Sequence, residues 1–394
     1  FADEKIMVKP LLQNKASSVV VCNLKSISLA YQELVDTYGD LLSYSYIVEE
    51  FSDATFLEFL KDLGFSFQCW TKGQINACKT AGISNDNIIY NHFSTEETIL
   101  RNIKETGIKK SFIDEVDDIE KFKTIWPDVH LSILMNFTEE NKFGMKCLNF
   151  EYAKNLATKC KEAGLTVNGL ILPSTLFNKS TEIRKSYFNE AAEFIKWAHN
   201  SGTQITNCSI GADNAIEDDN FCIVEKGAEI SAELKSIFGG INGLKLTFDA
   251  TITVTEEAFN LYVQVIGVKK LRDETEVDAK KVATTAYYLT EGIYGCLTYF
   301  FETELDDVDY EAYKEDIEDT NSHIKTVLWG PTCDSLDVCK AIVDLPKLDI
   351  GDWIIFPSIG GQAISLRSDF NWVDKYTMVY YFAAMEEDEE EPKK

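Results

Sequence analysis

The sequence predicts an α/β protein made of a (β/α)8 barrel and a second, all-β domain, a β-sandwich or barrel. Three observations carry that expectation. Eight short apolar runs alternate with amphipathic segments from residue 44 to residue 248, the signature of a parallel barrel. After Asp249 the pattern changes to period-two alternation, which half-buried strands produce. The chain is 394 residues long with 45% hydrophobic content, enough for two cores.

Taken in order, residues 19–22 form a β-rich run, and residues 27–38 carry apolar side chains at helical spacing. The candidate barrel strands are residues 44–48, 65–70, 88–90, 111–113, 131–137, 167–172, 205–210 and 244–248. Amphipathic segments such as 54–63, 95–106, 152–163, 186–200 and 228–238 lie between them. In the second domain, strands are expected at 251–255, 261–266, 287–289, 326–328, 353–356 and 378–382. Acidic runs at 273–278, 304–319 and 385–394 predict solvated loops and a disordered tail.

Composition narrows the function classes. Lys+Arg of 38 against Asp+Glu of 65 gives a net charge of −27, which repels nucleic acid and anionic lipid. No run approaches the ~18 apolar residues that cross a bilayer. The first residues lack the apolar core of a signal peptide, so a cytoplasmic location is expected. The ten cysteines show no CxxC and no framework spacing, which predicts reduced, mostly buried thiols. Four histidines, at 92, 130, 199 and 323, have no metal-ligand spacing, and no metal is expected. Sequons at Asn136, Asn178 and Asn207 read as chance matches.

The most informative stretch is Trp329-Gly-Pro-Thr-Cys-Asp-Ser-Leu-Asp337, followed by Gly351-Asp-Trp-Ile-Ile-Phe356. Gly330-Pro331 is a turn signal that presents Thr332, Cys333 and Asp334 together. A thiol beside an anion is a poor nucleophile, so these residues read better as a retained loop than as chemistry. The stretch resembles the eukaryotic ornithine decarboxylases, pyridoxal-phosphate (PLP) enzymes whose Cys-Asp pair reaches across a dimer interface to the partner's barrel. Ser335 stands where that family usually has Gly. The resemblance further implies that the strand near Val19 joins the β-domain. The expected domains are therefore 27–249 for the barrel, 1–26 with 250–384 for the β-domain, and a tail at 385–394.

PLP chemistry needs a lysine amine, a phosphate cradle and a carboxylate facing the pyridine nitrogen. The resemblance places these along the chain, and the sequence departs at nearly every one. Glu49, in Tyr46-Ile-Val-Glu49, stands where the family has the Schiff-base lysine. Gln68 and Gln74 are amides where it has acids, and Pro173 takes the place of the histidine that stacks on the ring. Residues 131–137 contain no arginine where the family uses one. The glycine-rich phosphate loop appears as Ser209-Ile-Gly211-Ala-Asp213, and Asp213 has the wrong sign for phosphate: a like-charge pair costs about 4 kcal/mol at ~4 Å in a dielectric near 20. Asp249 keeps an acid, but the Gly and Arg that follow it in the family are absent. Glu291 lengthens the acid that recognises the substrate's distal amine, and Gln362 replaces a phosphate-binding Tyr, while Phe370 is retained. No catalytic residue and no cofactor is expected.

The implied reading is a catalytically inactive, antizyme-inhibitor-like paralogue that titrates antizyme or pairs with an active decarboxylase. Antizyme-binding relatives use a basic helix and strand after barrel strand three, which maps to Arg101, Lys104, Lys109 and Lys110. Glu96, Glu97 and Glu105 dilute that patch. A monomer or weak homodimer is expected, since the acidic insert opposes close association. Two alternatives stand beside this reading. One is a structural, storage or small-ligand-binding protein that reuses the fold. The other is new chemistry built on Glu49, Asp213, Asp249 and Glu291, should they converge at the barrel top.

Overall fold

The computed structural model describes residues 2–12, 17–93, 95–135, 149–173, 176, 179–211, 226–272, 282–298, 309–314 and 323–382. Asp213, Asn136, Asn178, Cys147, Cys222, the run 273–278, the tail and most of the acidic insert lie outside them. The chain divides into two units, residues 32–251 and residues 1–31 together with 252–394.

Helix α1 (Ala2–Leu12) and strand β1 (Val19–Asn23) belong to the second unit. The first unit is a closed barrel of parallel strands: β2 (Leu42–Ile47), β3 (Ser66–Cys69), β4 (Ile88–Tyr90), β5 (Lys110–Ile113), β6 (His130–Leu134), β7 (Thr166–Leu172), β8 (Asn207–Ile210) and β9 (Lys245–Asp249). All eight expected runs form them. The barrel closes where β2 pairs with β9, with Leu42 opposite Leu246 and Ser45 opposite Asp249.

The barrel's helices are α2 (Leu24–Tyr38), α3 (Ala54–Asp62), α4 (Lys72–Thr80), α5 (Glu97–Lys104), α6 (Ile119–Ile125), α7 (Phe150–Glu162), α8 (Thr181–Asn200) and α9 (Gly227–Phe238). Each buries one apolar stripe, as α3 does with Phe56, Leu57 and Leu60. Side-chain caps start several of them: Asp53 for α3, Asn149 for α7 and Ser180 for α8. Helix α4 begins with a Thr71/Gln74 capping box, a Thr-x-x-Gln signature readable in the sequence. The Gln74 side-chain oxygen accepts from the backbone of Trp70 and Thr71, so an amide at this position has a structural task.

The second unit is a mixed sheet built around the long strand β10 (Phe259–Lys270). Its first half pairs antiparallel with β1 and with β15 (Trp353–Phe356), and its second half with β11 (Thr285–Leu289). Strand β11 continues to β13 (His323–Trp329) and β14 (Val338–Pro346), while β16 (Thr377–Tyr381) pairs parallel with β1. A short strand, β12 (Glu311–Tyr313), pairs with β15, so part of the acidic insert expected as loop is sheet edge. The core here joins Val8 and Leu12 of α1 to Val19, Val21, Tyr262, Trp353 and Ile355.

One strand expectation is overturned. Residues 251–255, rich in β-branched side chains, form helix α10 (Thr251–Thr255). The reason is capping: the Asp249 carboxylate accepts from the Thr251 N–H at 3.1 Å and from its hydroxyl, which satisfies the first turn and outweighs the weak β preference.

Between α8 and α9, Arg184 forks onto Glu233 at 2.7 and 2.9 Å, and both side chains are 2% exposed. Removing one member strands a buried charge. Arg184→Ala is expected to destabilise the barrel by about 3 to 5 kcal/mol in urea unfolding. A loss below about 1 kcal/mol would mean the pair contributes no more than a surface bridge.

Candidate functional site

Barrel enzymes keep their chemistry at the C-terminal ends of the strands. The described residues within two positions after those ends include no Lys and no Arg. Acids stand there instead: Glu49 after β2, exposed, with Glu50 buried behind it, and Asp114 and Glu115 after β5. Asp249, the last residue of β9, is buried and holds the first turn of α10. Pro173 follows β7 as a buried residue. Gly211 follows β8 with its N–H donated to the Leu172 carbonyl at 2.9 Å, so that donor is already committed. Gln68 lies lower in the barrel, donating to Ser45 at 2.9 Å and accepting from Asn91 at 2.6 Å.

Of the four acids that could converge, Asp213 lies outside the described residues, Glu49 and Asp249 stand at barrel strand ends, and Glu291 belongs to the other unit. Among the described residues no group of three or more His, Cys, Asp and Glu side chains could hold a metal ion. Glu291 belongs to the sheet unit and is fully buried, with Oε2 accepting the Cys296 N–H at 3.0 Å. A Cβ at Gly295 would lie 1.6 Å from that oxygen, so only glycine admits it. Glu291 thus organises its own loop.

The surviving Cys-Asp stretch is held by a second buried acid, which sequence reasoning did not single out. Asp337 accepts from Ile293 N–H at 3.0 Å, Thr332 N–H at 3.0 Å and the Thr332 hydroxyl at 2.7 Å. Gly330 leaves room for it, since a Cβ there would meet its carboxylate at 2.1 Å. The signal was present as the third residue after Asp334 in the quoted motif. Asp334 accepts from the Tyr294 hydroxyl at 2.6 Å and from Leu336 N–H. That bond lowers the Asp334 carboxyl below its usual range and pushes the Tyr294 phenol up to about 12. The Tyr294 ring packs on Phe370 with centroids 4.9 Å apart. Around this framework Cys333, Leu336, Phe370 and Trp372 are exposed, Trp372 by 89%. Gln362 sits exposed on helix α11 (Gly360–Ser365). Of the eight described cysteines only Cys333 is exposed, and all eight are free thiols.

The four basic residues are each engaged. Arg101 pairs with Glu97 one turn earlier at 3.4 Å, and Lys104 donates to the Ile125 carbonyl at 2.8 Å. Lys109 lies 3.5 Å from Asp128, and Lys110 donates to the Asp86 carbonyl. All four remain exposed.

Burial pushes the Glu291 carboxyl up to about 7; the Cys296 and Gly292 N–H groups and Arg367 pull it down, and Asp337 adds to the rise. The folded chain therefore holds this proton more tightly than the unfolded chain. Its contribution to stability is complete below the unfolded value of 4.5 and is lost as pH rises through about 7. Relative to Glu291→Gln, the parent protein should lose about 3 kcal/mol between pH 4.5 and 8. Urea unfolding of both proteins across that range checks this, and a constant difference would refute it.

With this geometry in view, comparison with known proteins places the chain. Ornithine decarboxylase 2 of Drosophila melanogaster is 25% identical over 382 residues, 94% of this chain and 93% of that protein. Antizyme inhibitor 1 of Rattus norvegicus is 24% identical over 339 residues, 83% of this chain and 74% of the relative. The fold matches the arginine decarboxylase of Paramecium bursaria Chlorella virus with a TM-score of 0.78 at 20% identity, covering 96% of this chain and 100% of that one. It also matches the lysine/ornithine decarboxylase of Vibrio vulnificus, solved with cadaverine, with a TM-score of 0.79 at 20% identity, covering 97% and 99%. The family model described as pyridoxal-dependent decarboxylase, C-terminal sheet domain, matches residues 21–360, and the chain belongs to that family.

Proposed function

We propose that this chain is a pseudoenzyme of the decarboxylase family, whose role is to bind other proteins rather than to decarboxylate an amino acid with PLP. The observation that carries the reading is Glu49 just after β2, where the family's Schiff-base amine belongs, with no Lys or Arg among the described residues within two positions after any barrel strand end. The residues do not fit PLP. A carboxylate cannot form the imine, the Gly211 N–H is spent on Leu172, and the Asp249 carboxylate caps α10.

What survives is the surface by which family members meet another chain. The buried Asp337 holds the Cys333–Asp334 loop, and Leu336, Phe370 and Trp372 stand exposed beside it. Both antizyme inhibitors and active decarboxylases are among the relatives, which supports either antizyme titration or pairing with an active paralogue. For antizyme, Arg101 and Lys104 on exposed α5 are the contact residues this reading assigns. The net charge of −27 repels an acidic partner at long range, so binding depends on close contacts and gains on-rate as salt rises.

Two measurements test the proposal. Mixed with PLP, the purified protein should develop no imine absorbance band, trap no lysine adduct with borohydride and release no CO2 from ornithine. Glu49→Lys alone should restore none of these. A trapped adduct on the unaltered chain would end the pseudoenzyme reading. In pull-downs, Arg101→Glu with Lys104→Glu should abolish antizyme capture while the circular dichroism spectrum stays unchanged. Capture that survives the double reversal would remove antizyme as the partner through α5.

A further inference from the structure

The interior of a (β/α)8 barrel is ordinarily filled by layers of bulky branched side chains. The N-terminal half of this one is lined by hydroxyls and amides, among them Ser43, Ser45, Gln68, Ser132, Ser209 and Thr247. They surround a cavity of about 300 Å³. That is the lower end of the range for small-molecule sites, and equals roughly ten waters at ~30 Å³ each. Its rim is made of exposed residues that begin strands, Lys110 on β5, His130 on β6 and Lys245 on β9. The cavity is therefore at the opposite end of the barrel from Glu49 and Gly211.

Most of the wall is fixed by its own hydrogen bonds. Gln68 donates to Ser45, Thr247 donates to the Asn207 side-chain oxygen Oδ1 at 3.0 Å, and Asn207 donates to Ser209 at 2.9 Å. Asn91 donates to Gln68 at 2.6 Å, but its own carbonyl oxygen, on a side chain 3% exposed, has no hydrogen-bond partner. Gly169 gives Ser132 its place, since a Cβ at 169 would lie 2.1 Å from the Ser132 hydroxyl.

The rim carries the charge. Lys110 donates to the Asp86 carbonyl, and Lys245 is near enough to oppose its protonation, adding to the effect of burial against the pull of Asp86. The Lys245 ammonium has no hydrogen-bond or ion-pair partner among the described residues. With Asp86 as the one acid among the lining residues, the two lysines leave the site with a net positive charge, on a chain of −27.

We propose that the N-terminal end of the barrel binds a small polyhydroxylated monocarboxylate of the sugar-acid class. Its carboxylate lies between Lys110 and Lys245, and its hydroxyls meet the Ser132 hydroxyl and the neighbouring hydroxyls and amides of the wall. Hydroxyls suit this wall because each gives and accepts a hydrogen bond, as serines and amides require. A cation would meet the two lysines. An apolar molecule would leave the wall unsatisfied. A simple anion would engage the rim and leave the cavity to water.

Titration calorimetry on the full chain tests this with sodium gluconate, glucose and inorganic phosphate as probes. Gluconate should bind about tenfold or more tightly than either of the others, since only it combines charge with hydroxyls. Lys245→Glu should weaken gluconate by about tenfold or more, while Lys123→Glu, an exposed charge reversal outside the cavity lining, leaves it unchanged. Should Lys245→Glu fail to fold, Lys245→Gln carries the same expectation. Ser132→Ala should weaken gluconate and leave phosphate as it was. The proposal is overturned by glucose or phosphate binding as tightly as gluconate, by no gluconate heat at about 50 mM, or by a folded Lys245 variant that binds normally.

Discussion

The pairing of β2 with β9 is the constraint on which the barrel depends. It joins residues some 200 apart in sequence and turns an open parallel sheet into one with no edge. Side chains reinforce the seam: Ser43 and Thr247 share a hydrogen bond at 3.0 Å, and the Thr251 hydroxyl accepts the Ile47 N–H at 2.8 Å. Asp249 belongs to the same seam, because the hydroxyl it bonds is the one that accepts from Ile47. An acid that the family resemblance assigns to a cofactor thus contributes to closing the barrel in this chain.

Much of the fold was legible in the sequence, and the reasons differ by element. The barrel strands are short apolar runs flanked by amphipathic helices, and tertiary context reinforces that pattern instead of overriding it. The segment 251–255 misled because β-branched composition is a weak preference, and one acid two residues before Thr251 was enough to start a helix. Strand β12 was obscured by its acidic surroundings, although Tyr313 packs against the core cluster of α1, β1 and β15.

The candidate site was legible in its parts and not in its arrangement. The identity of Glu49 is a fact of sequence, and its exposure follows from the turn after β2. That Glu291 would be fully enclosed could not be read from its composition, because its carboxylate fits only where Gly295 lacks a Cβ and the folded loop presents the Cys296 N–H. Asp337 was missed for the same reason: a lone Asp after Leu336 has no periodicity, and only the folded loop aims three donors at it. The polar barrel interior was overlooked because serines alternating with apolar residues read as ordinary strand pattern, with no hint that the serine face points inward.

Helix α1 has a consequence for the order in which the chain is built. Glu4 is buried and accepts hydrogen bonds from Asn260 at 3.0 Å and Tyr262 at 2.8 Å, partners more than 250 residues downstream. During synthesis those partners emerge from the ribosome only after the whole barrel, which can fold as a unit while the first 31 residues wait. Until β10 arrives, Val8, Leu12 and the strand at Val19 have no sheet to cover. This segment is made before the barrel and docks after it, so the nascent chain carries an apolar, β-prone stretch throughout the barrel's translation, the interval in which a chaperone would have most to shield.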